Sequence, residues 1–292
     1  MSKDNTENWL ILLILSIIWG SSFILMKKSL IHFNHLEVAF FRLIIAFLVL
    51  SPFITTHLKK MRAKYIVPLL IISIIGTVIP AILFALAQMH LDSANVGMLN
   101  ALTPIFTLII GLIIFNKKVT NSNILGIVVG LVGSYILISP NNISETSTQY
   151  SLVVIIATIC YAISINTIKK IVNELGSFSI AIISSFISCI IPLFYIINNG
   201  IYNTIVKINM HISSFYYIII LGTLCTSIAI IIFNQLIKRS SALFGSSTTY
   251  LIPVFAIIWG IIDNETIAKN EIYGMIVIFI GVFIMNYQRL EY

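Results

Sequence analysis

The chain has 292 residues, of which 59% are apolar and 9% charged, and its formal net charge is +7. Soluble domains carry roughly 45–50% apolar and about 25% charged residues, so water cannot solvate such a surface and an ordinary soluble domain is excluded. The basic residues stand singly or in short groups between apolar runs, as Lys59, Lys60, Arg62 and Lys64 do. That is the pattern of charges flanking membrane helices, not of a surface that reads nucleic acid.

One crossing of the hydrocarbon core takes about 20 apolar residues. The first apolar run, Trp9 to Leu25, lacks the basic leader and small-residue cleavage site of a secretory signal, and it reads as a first membrane helix over 9–26. Apolar length, with breaks at charged or turn residues, predicts further helices over 36–54, 65–87, 94–115 and 122–139. The polar stretch Pro140 to Gln149 reads as a linker, dividing a first unit, 1–140, from a second, 151–292. In the second unit the predicted helices are 151–168, 176–197, 213–236, 242–262 and 271–287. No sustained alternation marks barrel strands, and lipid permits only helices or closed barrels, so the isoleucine-rich runs are helical.

An even number of crossings puts both termini on one side. That side then carries Lys3, Lys59, Lys60, Arg62, Lys64, Lys117, Lys118, Lys169, Lys170, Lys238, Arg239 and Arg289, against Lys27, Lys28, Lys207 and Lys269 on the other. The asymmetry predicts cytoplasmic termini and supports the count of ten.

The two units echo each other. Ala101-Leu102-Thr103-Pro104 with Gly111 recurs as Tyr250-Leu251-Ile252-Pro253 with Gly260, and Gly126 and Gly133 recur as Gly274 and Gly281. Gly76-Thr77 with Gln88 matches Gly222-Thr223 with Asn234, and Trp19 with Lys27-Lys28 matches Tyr161 with Lys169-Lys170. Five crossings per unit, an odd number, insert the second copy upside down relative to the first. The prediction is an all-α polytopic membrane protein of ten helices, two inverted five-helix repeats around a central cavity that opens to either side in turn.

The sequence resembles EamA-type members of the drug/metabolite transporter superfamily over nearly its whole length. The resemblance rests on Trp19-Gly20-Ser21-Ser22-Phe23, Phe41-Arg42, the Ala94 to Pro104 stretch, Gly111, Gly126, Gly133, Pro253 and Gly260. It implies ten helices in two repeats, with a cavity lined chiefly by the first, third and fourth helices and their repeat mates. The chain departs from the family pattern at an acidic position after the fourth and ninth helices, present only as Glu265 with Asn116 near its first-unit counterpart.

Polar groups inside a membrane helix are costly unless paired or facing water, so each is either a cavity liner or a bond between helices. Asn100 and Thr103 share a helix face one turn before Pro104, whose missing N–H frees a carbonyl for ligand or water; Thr249 and Tyr250 hold the matching stretch before Pro253. Gln88 and Asn234 mark repeat-related helix ends, as gates or as interface caps, and Trp19 and Tyr161 offer aromatic walls for packing or ligand stacking. Arg42, the only basic residue well inside a predicted span, reads as structural, snorkelling outward or pairing with Glu37. Lys27 and Lys28 read as outer vestibule or helix-end anchors, and Trp9, Tyr65, Tyr273 and Tyr287 as interfacial anchors. Gly20, Gly76, Gly97, Pro104, Gly111, Gly222, Gly245, Pro253 and Gly260 read as packing and hinge positions where backbones approach and slide.

Cys160, Cys189 and Cys225 lack metal-ligand spacing and read as packing residues. No acid lies deep in a predicted span, so nothing supports a proton relay, and facilitated or weakly coupled exchange stays open. Without a deep basic cluster, the cavity suits a neutral or zwitterionic cargo with apolar parts, such as an amino acid, better than a phosphorylated one. The expected function is secondary, non-ATP transport of such metabolites across the plasma (inner) membrane by alternating access, with export the expected direction. The expected partners are a small-molecule substrate and the bilayer, with no cofactor, metal or nucleic acid; the oligomeric state stays open, a monomer being compatible with the pattern. The rival classes are an intramembrane enzyme, for which no Gly-x-Ser-x-Gly, His-Glu-x-x-His or paired membrane carboxylate is found, and a channel or receptor, for which no selectivity-filter run is found.

Overall fold

The computed structural model describes residues 3–115, 120–138 and 145–286, and among them no strand occurs. The first half holds α1 (Lys3–Ser29), α2 (His35–Leu58), α3 (Ala63–Ala87), α4 (Ser93–Ile113) and α5 (Asn121–Ile138). The second holds α6 (Glu145–Leu175), α7 (Ser177–Asn199), the short α8 (Ile201–Met210), α9 (Ile212–Arg239), α10 (Ala242–Ile262) and α11 (Lys269–Asn286). Among the described residues eight of these are long and apolar enough to cross a bilayer, and α5 and α11 carry the shorter apolar stretches Asn121–Gly133 and Ile272–Gly281. The chain is therefore a multi-pass helical membrane protein.

The helices start and stop for local reasons. Asn34 caps α2 reciprocally: its Oδ1 accepts the Glu37 N–H at 2.9 Å, and the Glu37 carboxylate accepts the Asn34 N–H at 2.8 Å. Gly176, at φ +86°, turns the chain between α6 and α7, a conformation open to glycine without steric penalty. Three differences from the predicted helices stand out. α1 begins at Lys3, not at 9, and α6 runs from Glu145 to Leu175, not from 151 to 168, so the linker expected up to Gln149 is partly helix. Prediction cut each helix where charges begin, whereas a helix continues into water until a residue such as Gly176 ends it. The third difference is α8, an unpredicted helix between α7 and α9. Pro140, Asn116, Lys117, Lys118, Tyr287 and Arg289 lie outside the described residues.

Packing follows the glycine pattern. α5 lies against α11, and a Cβ on Gly281 would fall 2.8 Å from the Gly126 carbonyl, while one on Gly133 would fall 2.9 Å from that of Gly274. Lipid is as apolar as leucine, so such close backbone contact, not water exclusion, holds helices together. α1 packs on α10 and α9, and α6 on α4 and α3. Among the described residues the buried side chains form three apolar cores, the first containing Phe23, Met26, Phe33, Phe84, Leu99 and Ile252, the second Leu12, Leu15, Tyr65, Ile165 and Leu236, and a smaller third Phe40, Leu43, Val78 and Ala81.

Polar links gather at the two ends of the bundle. At one end Lys207 reaches Glu37 at 2.7 Å, His32 Nδ1 lies 2.8 Å from the Ser214 hydroxyl, and His90 stacks on Tyr150 with ring centroids 3.7 Å apart. At the other, Arg239 meets Glu7 at 2.9 Å, the Tyr65 hydroxyl donates to Glu174 at 2.9 Å, and Lys169 donates to the Ser240 carbonyl at 2.6 Å. Each link joins segments that a chain crossing back and forth places on the same side. Tyr65 is thus buried and hydrogen-bonded, not the lipid-facing anchor its position suggested, whereas Trp9 and Tyr273 remain exposed.

Candidate functional site

Where these cores meet, the helices separate around a cavity of about 120 Å³. Its floor and walls come from α1, α3, α4, α6, α9 and α10, with Arg42 and Leu43 added from α2 and Ser184 from α7. Two segments of its wall are irregular. Ile71–Val78 in α3 and Thr223–Ile228 in α9 are wound as π-helix, and they contain the repeat-matched Gly76-Thr77 and Thr223. A π turn carries one residue more than an α turn and leaves carbonyls off the regular ladder. Thr77 and Thr226 each turn a hydroxyl back to the carbonyl five residues earlier, at 3.0 Å on Ile72 and 2.8 Å on Leu221. Both threonines line the cavity.

Six of the eight predicted liners meet there: Trp19, Asn100, Thr103, Tyr161, Asn234 and Thr249. The Trp19 indole N–H is spent on the Cys225 carbonyl at 3.0 Å, a link between α1 and the π segment of α9, and its ring meets Phe233 edge-on. Tyr161 stacks on Phe84 with centroids 5.5 Å apart. The Asn100 carbonyl that Pro104 frees does not wait for a ligand, because the Thr103 hydroxyl donates to it at 2.8 Å. Likewise Thr249 donates to the Ser246 carbonyl at 2.9 Å.

Asn234 differs from these. Its Nδ2 donates at 3.4 Å to the Ser177 carbonyl, while its Oδ1, fully buried, accepts no hydrogen bond among the described residues. A buried acceptor without a donor is costly, which marks it as a place for water or cargo.

The remaining predicted residues lie elsewhere. Gln88 donates to the Phe23 carbonyl at 2.9 Å and to the Ser93 hydroxyl at 3.1 Å, tying the end of α3 to α1 and α4 outside the cavity. Tyr250 packs against the first core without reaching the cavity. Pro104 opens the second part of α4 and Gly111 is buried later in it, whereas Pro253 lies inside α10, whose own break comes earlier, at Ser247. Of the packing glycines, Gly20 faces Phe255, Gly97 faces Ala256, Gly222 faces Ile45, Gly245 faces Ile237 and Gly76 faces Ser164, each with too little room for a Cβ.

Arg42 overturns its expected role. Glu37 is taken by Lys207, and the Arg42 side chain turns inward to the cavity, where Nε donates to the Thr226 hydroxyl at 2.6 Å. Among the described residues no aspartate or glutamate lines the cavity, so its one positive charge has no carboxylate there. The signal lay in residue type: an arginine in an apolar span is costly enough to need a reason.

Outside the cavity, at the end of the bundle that carries His32, an ionic cluster joins α1 to the α10–α11 turn. Lys27 lies 2.9 Å from Asp263 and 2.7 Å from Glu265, and Lys28 pairs with Asp263. Glu265, its side chain only 1% exposed, also accepts the N–H groups of Ser93 at 3.0 Å and Ala94 at 3.1 Å, capping α4. Bonds from Lys28 and Lys27 hold the Asp263 carboxyl below its ordinary value. Desolvation, then the charge of nearby Glu265, pushes Asp92 above its own.

Apolar helices wrapped around a mid-bundle cavity with a single cation and a waiting acceptor are the architecture of a membrane transporter. The sequence profile of the EamA-like transporter family matches residues 8–139 and again residues 149–287, and the chain belongs to that family, within the drug/metabolite transporter superfamily. An uncharacterized transporter of Archaeoglobus fulgidus is 21% identical over 284 residues, covering 97% of this chain and all of that one. A solved crystal structure superimposes with a TM-score of 0.61 over 98% of this chain and 99% of its own, at 13% identity, a likeness of fold.

Proposed function

We propose that this transporter carries small zwitterionic metabolites, amino acids foremost, by secondary transport without ATP. The observation that carries this reading is Arg42, a guanidinium facing a cavity that no carboxylate lines among the described residues. A fixed positive charge inside a membrane span favours a cargo that brings its own negative one. The orphaned Asn234 Oδ1 supplies an acceptor for an ammonium group, and Trp19, Phe84, Tyr161 and Phe233 supply apolar walls. One cation suits a single carboxylate better than a phosphate ester, which needs several donors.

The reading includes alternating access. In this reading the chain crosses ten times, five in each inverted half, and the π segments of α3 and α9 on the cavity wall are repeat mates. The Lys27–Asp263–Glu265 cluster closes one end, and Arg239–Glu7 with Lys169–Ser240 the other. In this proposal the termini are cytoplasmic, the membrane is the plasma (inner) membrane, export is the working direction, and a monomer suffices.

The test is transport by purified protein in sealed liposomes. Radiolabelled amino acid uptake that saturates, and that accelerates when unlabelled amino acid is placed on the opposite face, is the expected result. Flux that rises linearly without limit would replace this reading with a channel.

A further inference from the structure

We propose that the cleft between the α2–α3 turn and the end of α6 binds the headgroup of an anionic phospholipid from the adjoining leaflet. Lys59, Lys60, Arg62 and Lys64 line this cleft together with Tyr65, Glu174 and Leu175. Four cations thus face one carboxylate, and that carboxylate is engaged by Lys64 and by the Tyr65 hydroxyl at 2.9 Å. The remaining three cations share the lining with no second acid among the described residues.

Basic residues at a membrane boundary are ordinary in themselves. Three further features make a site of these. They line a concavity instead of a flat rim. The N-terminus of α3 opens beside it, with Arg62 at the cap position and no side chain satisfying the first N–H groups, an arrangement that suits an oxyanion. The surface below is apolar and bare: Ile66, Val67 and Phe178 are 43%, 64% and 47% exposed on the adjacent turns of α3 and α7. A phosphate in the cleft would leave its acyl chains lying along this strip, which a free phosphate would not use. Because α3 and α6 both line the cavity, a lipid held between their ends would bear on the alternating access proposed above.

The experiment uses the full chain in an uncharged detergent, with native mass spectrometry counting bound lipid and thermal unfolding as a second measure. Phosphatidylglycerol should be retained over phosphatidylcholine and should raise the unfolding midpoint. Lys60→Gln with Arg62→Gln should weaken phosphatidylglycerol retention about thirtyfold, the scale for two near-surface charges. Lys238→Gln with Lys269→Gln, an equal loss of charge elsewhere, should leave it within about twofold. Val67→Ser, which keeps every charge and guards against misfolding of the charge variants, should also weaken retention. Equal retention of the two lipids, equal loss in the control pair, an unaltered Val67→Ser variant, or displacement of phosphatidylglycerol by inorganic phosphate would each overturn the proposal.

Discussion

Glu265 and Lys27, 238 positions apart in the chain, meet at 2.7 Å at the mouth of the bundle. The same carboxylate caps α4 through Ser93 and Ala94, so one side chain fastens three elements: α1, α4 and the α10–α11 turn. Its placement depends on Gly260, since a Cβ there would lie 2.6 Å from the Glu265 carboxylate. Glu265→Ala strands buried donors and a lysine, and is expected to destabilise the protein by about 3 kcal/mol, the scale for breaking a buried pair. Gly260→Ala should reproduce much of that loss while leaving every charge present. Thermal unfolding of both variants in detergent checks this, and a stable Gly260→Ala protein would show that the carboxylate is not confined as described.

The pH dependence of this cluster has two opposed parts. Asp263 is held below its ordinary value by its lysine bonds, so its contribution is full above the unfolded value and is lost as pH falls through the lowered folded one. Asp92 is held above its ordinary value by desolvation and by Glu265, so its contribution is present in acid and is lost as pH rises through the raised folded value. Asp263→Asn should therefore flatten the acid limb of stability, and Asp92→Asn should stabilise the protein near neutrality by about 0.5 kcal/mol, as befits a solvent-screened group. Unfolding midpoints measured across that range decide it; an Asp92→Asn protein weaker at neutral pH would contradict the assignment.

Much of this arrangement can be read from residue type and spacing. Trp19, Asn100 and Tyr161 stand out as polar or amphipathic groups in apolar runs, and their inward facing follows from the penalty for meeting lipid. The glycine echoes were legible because close backbone contact admits little else, as at Gly281 on Gly126. What stayed hidden depends on distant partners. Arg42 lies about two turns inside α2, within snorkelling reach of its start, but its partner Thr226 is 184 positions away. The π segments escaped notice because an extra residue per turn changes register without changing composition. For the same reason the role of Glu265 could not be read from its loop, since Ser93 and Lys27 come to it through the fold.

Arg42 separates charge from shape. Arg42→Gln retains a donor for Thr226 but removes the positive charge, and transport of a zwitterion should show KM raised about tenfold to a hundredfold, the scale of a charge-assisted bond at 1.5–3 kcal/mol. Arg42→Lys should recover part of the loss, less than all because ammonium cannot present the planar fork. Concentration series of amino acid uptake in liposomes measure both, with protein abundance as control. A KM unchanged in Arg42→Gln would return this residue to a purely structural role.

Gly76 and Ser164 test whether the close contact between α3 and α6 sets the cavity. A Cβ on Gly76 would fall within the Ser164 side chain, on a wall that both residues share. Gly76→Ala should destabilise the protein by about 1–3 kcal/mol through overpacking. Adding Ser164→Gly removes the obstructing atoms and should restore most of that stability, although glycine in a helix itself costs roughly 1 kcal/mol. Measured as a double-mutant cycle, the coupling should be clearly favourable, because the two substitutions share one volume. Additive losses would mean that α3 shifts away from α6 instead, and the π segment of α3, not the Ser164 side chain, would then be the element that yields.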